Sequence, residues 1–222
     1  MNRRMILPLI AGVLGTAILL WLGTWQLQRM TWKQGVLGAI DARLAMPAVA
    51  IPADPDPVAD KYLQVNLSGM LEPRELHVLG FGNGGPGFRV IAAMVLNDGR
   101  RILVDRGFIL ETAKNALRGG GAVIATGSMI WPQETDKYIA PPDRAKNIWF
   151  ARNVPLMAKE LGTLPLMVAL HQSNNTQGIT PQIPSINIAN RHLEYVLTWY
   201  GLAIIWFGMT GYLLWRIKRE TV

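Results

Sequence analysis

The sequence predicts an α+β membrane protein, in which two transmembrane helices form an N- and C-terminal hairpin. They flank a compact, mainly antiparallel β domain outside the membrane that carries a short helix. Residues 5–28 and 195–215 contain no charged side chain, and at about 1.5 Å per residue each run can cross a hydrocarbon core of roughly 30 Å. Apolar positions between the two runs recur with a period near two, which is typical of strands. Half of the chain is hydrophobic and 17% is charged, a balance that fits a few spans joined to a soluble part.

Charge and cysteine content exclude several classes of site. The chain has no cysteine, so disulfides, thiolate zinc sites and iron–sulfur clusters are impossible. Its 22 basic and 15 acidic residues give a net charge of +7. Much of the basic excess flanks the apolar runs, which indicates contact with the headgroups of a lipid bilayer. Lys and Arg do not alternate with aromatic residues along a stripe, and we therefore expect no nucleic-acid partner.

The first apolar run, residues 5–28, is interpreted as an uncleaved transmembrane helix behind a cytoplasmic N-terminus, residues 1–4. A signal peptide would have a shorter apolar run that closes on a small-x-small site, and Ala48-Val49-Ala50 lies too far downstream. Both short ends of the chain are basic, so the positive-inside rule places both termini in the cytoplasm. The main domain then faces outward, which is periplasmic in a bacterium.

The next segment, residues 29–60, is predicted to extend the first helix and then to become a linker. The stretch 46–60 contains four prolines, and proline cannot continue a helix. Residues 61–189 are predicted to form the periplasmic β-rich domain. Its strands are expected in "KYLQVNLSGML", "ELHVLG", "FRVIAAMVL", "RRILVDRGFIL" and "AVIATGSMIW", and a barrel is one possible arrangement.

Turn and cap residues define the remaining elements. Asp98-Gly99 between two apolar runs predicts a hairpin. The segment "NVPLMAKELG" predicts a short helix with Asn153 as its cap and Gly162 as its stop. The polar stretch "HQSNNTQGITPQIPSINIAN" is interpreted as an irregular return to the membrane. Residues 190–215 form the second predicted transmembrane helix, and residues 216–222 form a cytoplasmic tail.

Most motifs that could carry chemistry have a simpler explanation. "GFGNGG" at 80–85 satisfies the GxGxxG pattern, but a β-branched run follows it instead of a helix, which favours a hairpin over a dinucleotide site. The ten methionines are scattered and do not form a copper site. We expect structural roles for His77, in a predicted strand, and His171, in a predicted loop. Arg106 is expected to pair with a carboxylate, either Asp105 or a neighbour.

His192 lies at the mouth of the second apolar run. Asn190 can cap the helix, which places His192 in the first turn, where the helix dipole favours neutral imidazole. Tyr195, Val196 and Trp199 follow at i+3, i+4 and i+7 and share one face with it.

A flat apolar macrocycle could lie on this face, with the imidazole above its metal. Basic residues at the headgroup level could pair with its carboxylates: Arg29, Lys33 and Arg191. The residues alone also allow an ordinary interfacial histidine beside an aromatic belt.

Four segments resemble one known family in the same order along the chain. They are "LGTWQLQR" followed by "WK", "GFRVIAAMVLNDGRRILVDRGFI", "NIWFARNVPLMAKELG" and "NRHLEYVLTWYGLA". The sequence is similar to the Surfeit-locus protein family of cytochrome c oxidase assembly factors, and it looks like the bacterial members. The resemblance implies a two-pass protein of the bacterial inner (plasma) membrane.

The resemblance also implies a function. It implies that the chain, like the bacterial members, binds haem a and assists its insertion into subunit I of the haem-copper oxidase, so the expected partners are subunit I and other oxidase assembly factors. Carried over to this chain, the resemblance makes His192 the axial ligand of the haem iron, with these neighbours: Trp25, Gln26, Tyr195 and Trp199. No catalysis is implied.

Two other functions are compatible with the sequence. The first is a cofactor-free membrane scaffold that holds oxidase subunits. The second is a membrane-anchored enzyme, for which the sequence supplies no nucleophile–base pair and no metal cluster.

Overall fold

The computed structural model describes residues 3–82, 84–182 and 192–220. It divides the chain into two compact units: Met1–Ala39 with Ile186–Val222, and Ile40–Ser185. The first unit is helical and the second is built on a sheet, so the α+β class is confirmed.

Two long apolar helices make up the first unit. Helix α1 is Arg3–Leu44, of which the last residues belong to the second unit, and helix α3 is His192–Arg219. Both are long and apolar enough to cross a membrane by length and composition. Helix α1 continues to Leu44, well past the charge-free run that ends at residue 28.

Glycines on α1 allow the two helices to pack closely. A Cβ at Gly12 would lie 2.1 Å from Cγ2 of Thr210, and a Cβ at Gly23 would lie 2.9 Å from Cε1 of Tyr200. Small residues are the usual means of close helix approach in an apolar environment. Gly12 meets Thr210, and Gly23, later on α1, meets Tyr200, which is earlier on α3. The two helices therefore run antiparallel.

The second unit is a closed sheet of five strands with a short additional strand. The elements are β1 Val49–Ala50, β2 Gln64–Gly82, β3 Gly85–Leu96, β4 Arg101–Leu110, β5 Gly121–Ile130, α2 Val154–Leu161 and β6 Met167–Ser173. The strand order is β1-β2-β3-β4-β6-β5, and β5 also pairs with β2, which closes a barrel. The β1–β2 and β4–β6 pairs are parallel and the others antiparallel, so the mainly antiparallel domain is confirmed.

The strands bury apolar side chains on both faces. One cluster includes Val65, Met94 and Val104, and a second packs Leu103 and Met167 with the inner face of α2. Because β3 and β4 contribute to both clusters, their burial is nearly continuous along the strand. The sheet therefore has a covered outer face as well as a filled interior.

The predicted turn at Asp98-Gly99 and the predicted ends of α2 are confirmed. Gly82 at the end of β2 pairs with Gly85 at the start of β3, and because a strand follows instead of a helix, the dinucleotide interpretation is excluded. The β3–β4 turn has Gly99 at φ 86°. The Asn153 side chain accepts a hydrogen bond from the backbone N–H of Leu156, and Gly162 ends α2 at φ 66°.

Three strand features differ from the sequence prediction. "KYLQVNLSGML" and "ELHVLG" belong to one strand, β2, with an irregularity between Leu71 and Glu75. The short β1 lies inside the proline-rich segment, and Ile51 beside it enters the core. His171 lies on β6 and not in a loop. The apolar start of β6 pairs with β4 and β5, and the pairing with β5 continues into the polar end of the strand.

Candidate functional site

The central feature of the helical unit is a contact between His192 and Gln26, which are 166 positions apart. Nδ1 of His192 lies 2.8 Å from Oε1 of Gln26. An amide oxygen only accepts hydrogen bonds, so Nδ1 carries the proton and donates it. In neutral imidazole the lone pair then resides on Nε2, which is the atom left to bind a metal.

This pair joins two largely apolar helices. Both side chains are partly buried, and Val196, one turn after His192, is 7% exposed. Polar side chains within apolar helices carry a desolvation cost and are functional candidates by default. The contact between His192 and Gln26 is therefore a candidate functional site.

Trp199 lies two turns along α3 from His192. Its indole Nε1 is buried and has no hydrogen-bond partner within the described residues. Buried indole N–H groups are normally satisfied. An unsatisfied donor near His192 is the kind of group that a polar substituent of a ligand could complete.

The structure does not bring the other predicted site residues into this contact. Tyr195 is 52% exposed and Trp25 is 46% exposed. Successive residues differ by about 100° around a helix, so Trp25 leaves α1 in a different direction from Gln26. The guanidinium of Arg29 stacks over Trp32 at 5.2 Å. Arg191 and Asn190 lie outside the described residues.

A multi-ligand metal centre is absent from the part of the chain that the structure describes. Among those residues no group of three or more His, Asp or Glu side chains could hold a metal ion. The chemistry available at His192 is that of a single imidazole ligand oriented by a hydrogen-bonded neighbour. This is the arrangement by which proteins hold haem iron from one side.

The β domain contains a buried ion cluster that the sequence did not reveal. Arg106 donates to Oε1 of Glu75 at 2.7 Å, and Arg118 donates to Oε2 at 2.9 Å. The side chain of Arg106 is 2% exposed, that of Arg118 is 3% exposed and that of Glu75 is 9% exposed. Arg106 therefore pairs with a neighbouring carboxylate, as predicted, but that carboxylate is not Asp105.

Burial alone would raise the pKa of Glu75. Hydrogen bonds from His77 and Arg118 and the charges of Arg118 and Arg106 outweigh burial, so the pKa lies below its usual range. The carboxylate is therefore ionised at neutral pH, and it compensates two guanidinium groups at once.

Asp105 belongs to a second ion cluster. Its fully buried carboxylate accepts from Arg89 at 2.8 Å and from Arg152 at 3.2 Å, and Arg152 also pairs with Glu134. Arg89 in turn donates to Oε1 of Gln182 at 2.6 Å. The cluster thus fastens the segment that leaves the domain.

Gly107 and Phe108 hold the same segment through backbone contacts. The N–H of Phe108 donates to the carbonyl of Thr180 at 2.8 Å, and the N–H of Thr180 donates back at 3.0 Å. A Cβ at Gly107, where φ is 119°, would lie 2.1 Å from that carbonyl oxygen. The "DRGF" stretch is therefore a docking element for residues 179–182.

One serine–histidine pair invites a catalytic interpretation. Oγ of Ser128 lies 2.8 Å from Nε2 of His171 and accepts from Gln64 at 2.6 Å. Ser128 is 0% exposed, so no substrate can reach its hydroxyl. Burial lowers the pKa of His171, which suits a neutral structural partner. The pair supports packing and does not support the enzyme hypothesis.

Comparison with known proteins places most of the chain in one group. The SURF1 family model matches residues 13–204. "Surfeit locus protein 1" of Rattus norvegicus is 27% identical over 220 residues, covering 88% of this chain and 70% of the relative. The protein of the same name in Homo sapiens is 27% identical, with 84% and 72% covered. "SURF1-like protein" of Rickettsia conorii is 28% identical, with 84% and 82% covered. The matched region includes Gln26, His192 and the whole barrel.

Proposed function

This chain belongs to the SURF1 family, and from that membership and its helix-pair site we propose that it is an assembly factor for haem-copper cytochrome c oxidase. In this proposal it binds haem a at the outer membrane interface and assists haem insertion into oxidase subunit I. The observation that carries the proposal is the His192–Gln26 contact, which leaves Nε2 of an oriented imidazole available in an apolar setting.

The proposed location is the bacterial inner membrane, with both termini in the cytoplasm and the barrel in the periplasm. The apolar lengths of α1 and α3 support two spans. Arg216, Lys218 and Arg219 in the last turn of α3 support a cytoplasmic C-terminus. Because α1 and α3 are antiparallel, this topology places Gln26 and His192 at the outer face.

The residues present fit haem as a ligand. Bound haem would supply an iron that accepts an imidazole nitrogen and an apolar macrocycle that must be kept from water. His192 would ligate through Nε2, Gln26 would orient the ring, and Trp199 would offer its indole N–H to a polar substituent. Arg29 and Arg191 stay predictions as partners for carboxylates at the headgroup level.

A single protein ligand suits a carrier. One imidazole holds iron less firmly than two protein ligands would, so release to a partner with a better ligand set is favourable. The proposed role of this chain is therefore reversible: it shields the cofactor and then gives it up. This role requires no nucleophile and no acid–base pair.

The experiment compares wild-type protein with His192→Ala and Leu193→Ala, each purified from cells that make haem a. Leu193 is 54% exposed and adjacent in the same helix, so it controls for damage to the helix. Absorbance spectra and haem-to-protein ratios should show haem in the wild type and the control. The ratio should fall at least about tenfold in His192→Ala. Full haem occupancy in His192→Ala would eliminate this residue as the ligand.

A cofactor-free scaffold for oxidase subunits is the second candidate. Exposed apolar side chains on the β2–β3 hairpin favour it, since Phe81 is 79% exposed and Leu79 is 49% exposed. Under this alternative the purified protein is colourless, captures subunit I or other assembly factors, and loses that capture when Phe81 and Leu79 become serine. His192→Ala would leave the capture unchanged.

A further inference from the structure

We propose that Gln26 is the positioning residue that sets the tautomer and orientation of His192, so that Nε2 presents its lone pair to the ligand. This inference rests on the proposed function and adds a role for a residue of the opposite helix. Gln26 itself touches neither the iron nor a reacting atom.

The argument begins with the hydrogen bond. Neutral imidazole has one N–H group, and either nitrogen can carry it. The Gln26 amide oxygen, 2.8 Å from Nδ1, is satisfied only by the Nδ1–H form. Histidines that bind metals commonly donate their second ring nitrogen in this way, which fixes the ring and raises ligand basicity.

Nearby polar groups on α1 are engaged elsewhere. The Thr24 hydroxyl donates to the carbonyl of Leu20 at 2.8 Å and accepts from Tyr200 at 3.1 Å. The Thr31 hydroxyl donates to the carbonyl of Gln28 at 2.9 Å. The Gln26 side chain is therefore the acceptor that α1 supplies to His192.

The close packing one turn away makes the contact possible. Tyr200 lies directly against the backbone at Gly23, where a Cβ would be 2.9 Å from its ring. This approach allows the Gln26 side chain to span the gap to α3. A methyl group at Gly23 should push the helices apart and lengthen the Gln26–His192 distance, even though both partners are retained.

The first measurement is made without haem, on the full chain in lipid nanodiscs. Protein labelled with ¹⁵N-histidine has three histidines, and the His192 signals are assigned by their loss in His192→Ala. The wild type should show a protonated Nδ1 and an unprotonated Nε2. Gln26→Met, which keeps the side-chain shape without an amide oxygen, should shift the population toward Nε2–H. Gln26→Glu keeps an acceptor and should preserve the wild-type tautomer.

The second measurement is a haem titration of the same variants. Loss of such a second-shell partner typically weakens metal binding about 10- to 100-fold. We expect that loss in Gln26→Met, a smaller loss in Gly23→Ala, and recovery in Gln26→Glu. Recovery separates a role in hydrogen bonding from a general defect in folding.

The two measurements distinguish failure of the inference from failure of the proposed function. An unprotonated Nδ1 in the wild type, or the same tautomer and affinity in Gln26→Met, overturns the positioning role. If the wild type binds no haem but Gln26→Met still changes the tautomer, the proposed function fails and the hydrogen-bonding role of Gln26 stands.

Discussion

Replacing Glu75 with glutamine should strongly destabilise the barrel. The carboxylate compensates Arg106 and Arg118, whose side chains are only 2% and 3% exposed. Removing one partner of a buried ion pair costs about 3–5 kcal/mol, because the remaining charge stays buried without compensation. Here two guanidinium groups lose the same counter-ion, so the upper part of that range is expected.

Glu160 provides a matched control. It too is shared by two arginines, Arg74 and Arg144, but their side chains are 60% and 57% exposed. Exposed ion pairs contribute about 0–1 kcal/mol. Glu160→Gln therefore makes the same chemical change in the same kind of pairing, and the two sites differ mainly in burial.

Hydrogen exchange of full-length protein in detergent can measure the difference at the barrel. Peptides from β3 and β4 report the free energy of opening of this unit separately from the helices. Each 1.4 kcal/mol is a tenfold change, so exchange should accelerate by roughly three orders of magnitude or slightly more in Glu75→Gln. It should change less than about fivefold in Glu160→Gln. Equal effects in the two variants would refute the argument that burial makes the Glu75 cluster essential.

Three further predictions concern the same domain. Because the pKa of Glu75 is lowered, the stabilisation that its carboxylate provides is fully present above about pH 4.3 and is lost as pH falls through the folded pKa. Hydrogen exchange of the barrel, corrected for the intrinsic rates, should therefore accelerate in acid in the wild type. It should respond less to acid in Glu75→Gln. Gly107→Ala places a methyl 2.1 Å from the Thr180 carbonyl at a positive φ, so peptides covering 176–182 should lose protection worth about 1–3 kcal/mol, and unchanged protection would refute the docking role. Asn153→Ala removes the bond to the Leu156 N–H and should cost about 1 kcal/mol in α2 protection, whereas Asn153→Ser should retain most of it.

The sequence predicted the elements that local chemistry determines. Alternating apolar residues indicated the start of β2, apolar runs indicated β3, β4 and β5, and Asp98-Gly99 indicated the turn between β3 and β4. Asn153 and Gly162 marked the ends of α2 because a cap and a left-handed stop each act within one turn. These signals need no knowledge of distant partners.

The features that the sequence did not reveal depend on long-range pairing. β6 has only a short apolar start, and its strand geometry is imposed by β4 and β5 on either side. The partner of Arg106 could not be read from the order of residues, since Glu75 reaches it through the register of β2 with β3 and of β3 with β4. The closure of β5 onto β2 likewise appears only when the whole sheet is assembled.

Part of the candidate site could be predicted from the sequence. A hairpin of two antiparallel helices brings residues near 26 and 192 together, and the family resemblance named His192. The hydrogen bond between Gln26 and His192 could not be derived in this way, because it depends on the close approach at Gly23. Trp25 leaves α1 in a different direction, although it is next to Gln26 in the sequence.

The polar side-chain contacts between α1 and α3 include bonds that hold the helices together and one bond that involves a potential metal ligand. The hydroxyl of Tyr200 donates to Thr24, and the indole of Trp206 lies 3.4 Å from the carbonyl of Ala11. A hydroxyl and an indole that bond across a helix pair hold it together, and neither is a usual ligand for haem iron outside specialised sites. His192 differs because its bond to Gln26 consumes Nδ1 and leaves Nε2, a metal ligand, unused by that bond. Substituting Tyr200 should therefore loosen the helices, whereas under the proposed function substituting His192 should abolish haem binding while the helices stay paired.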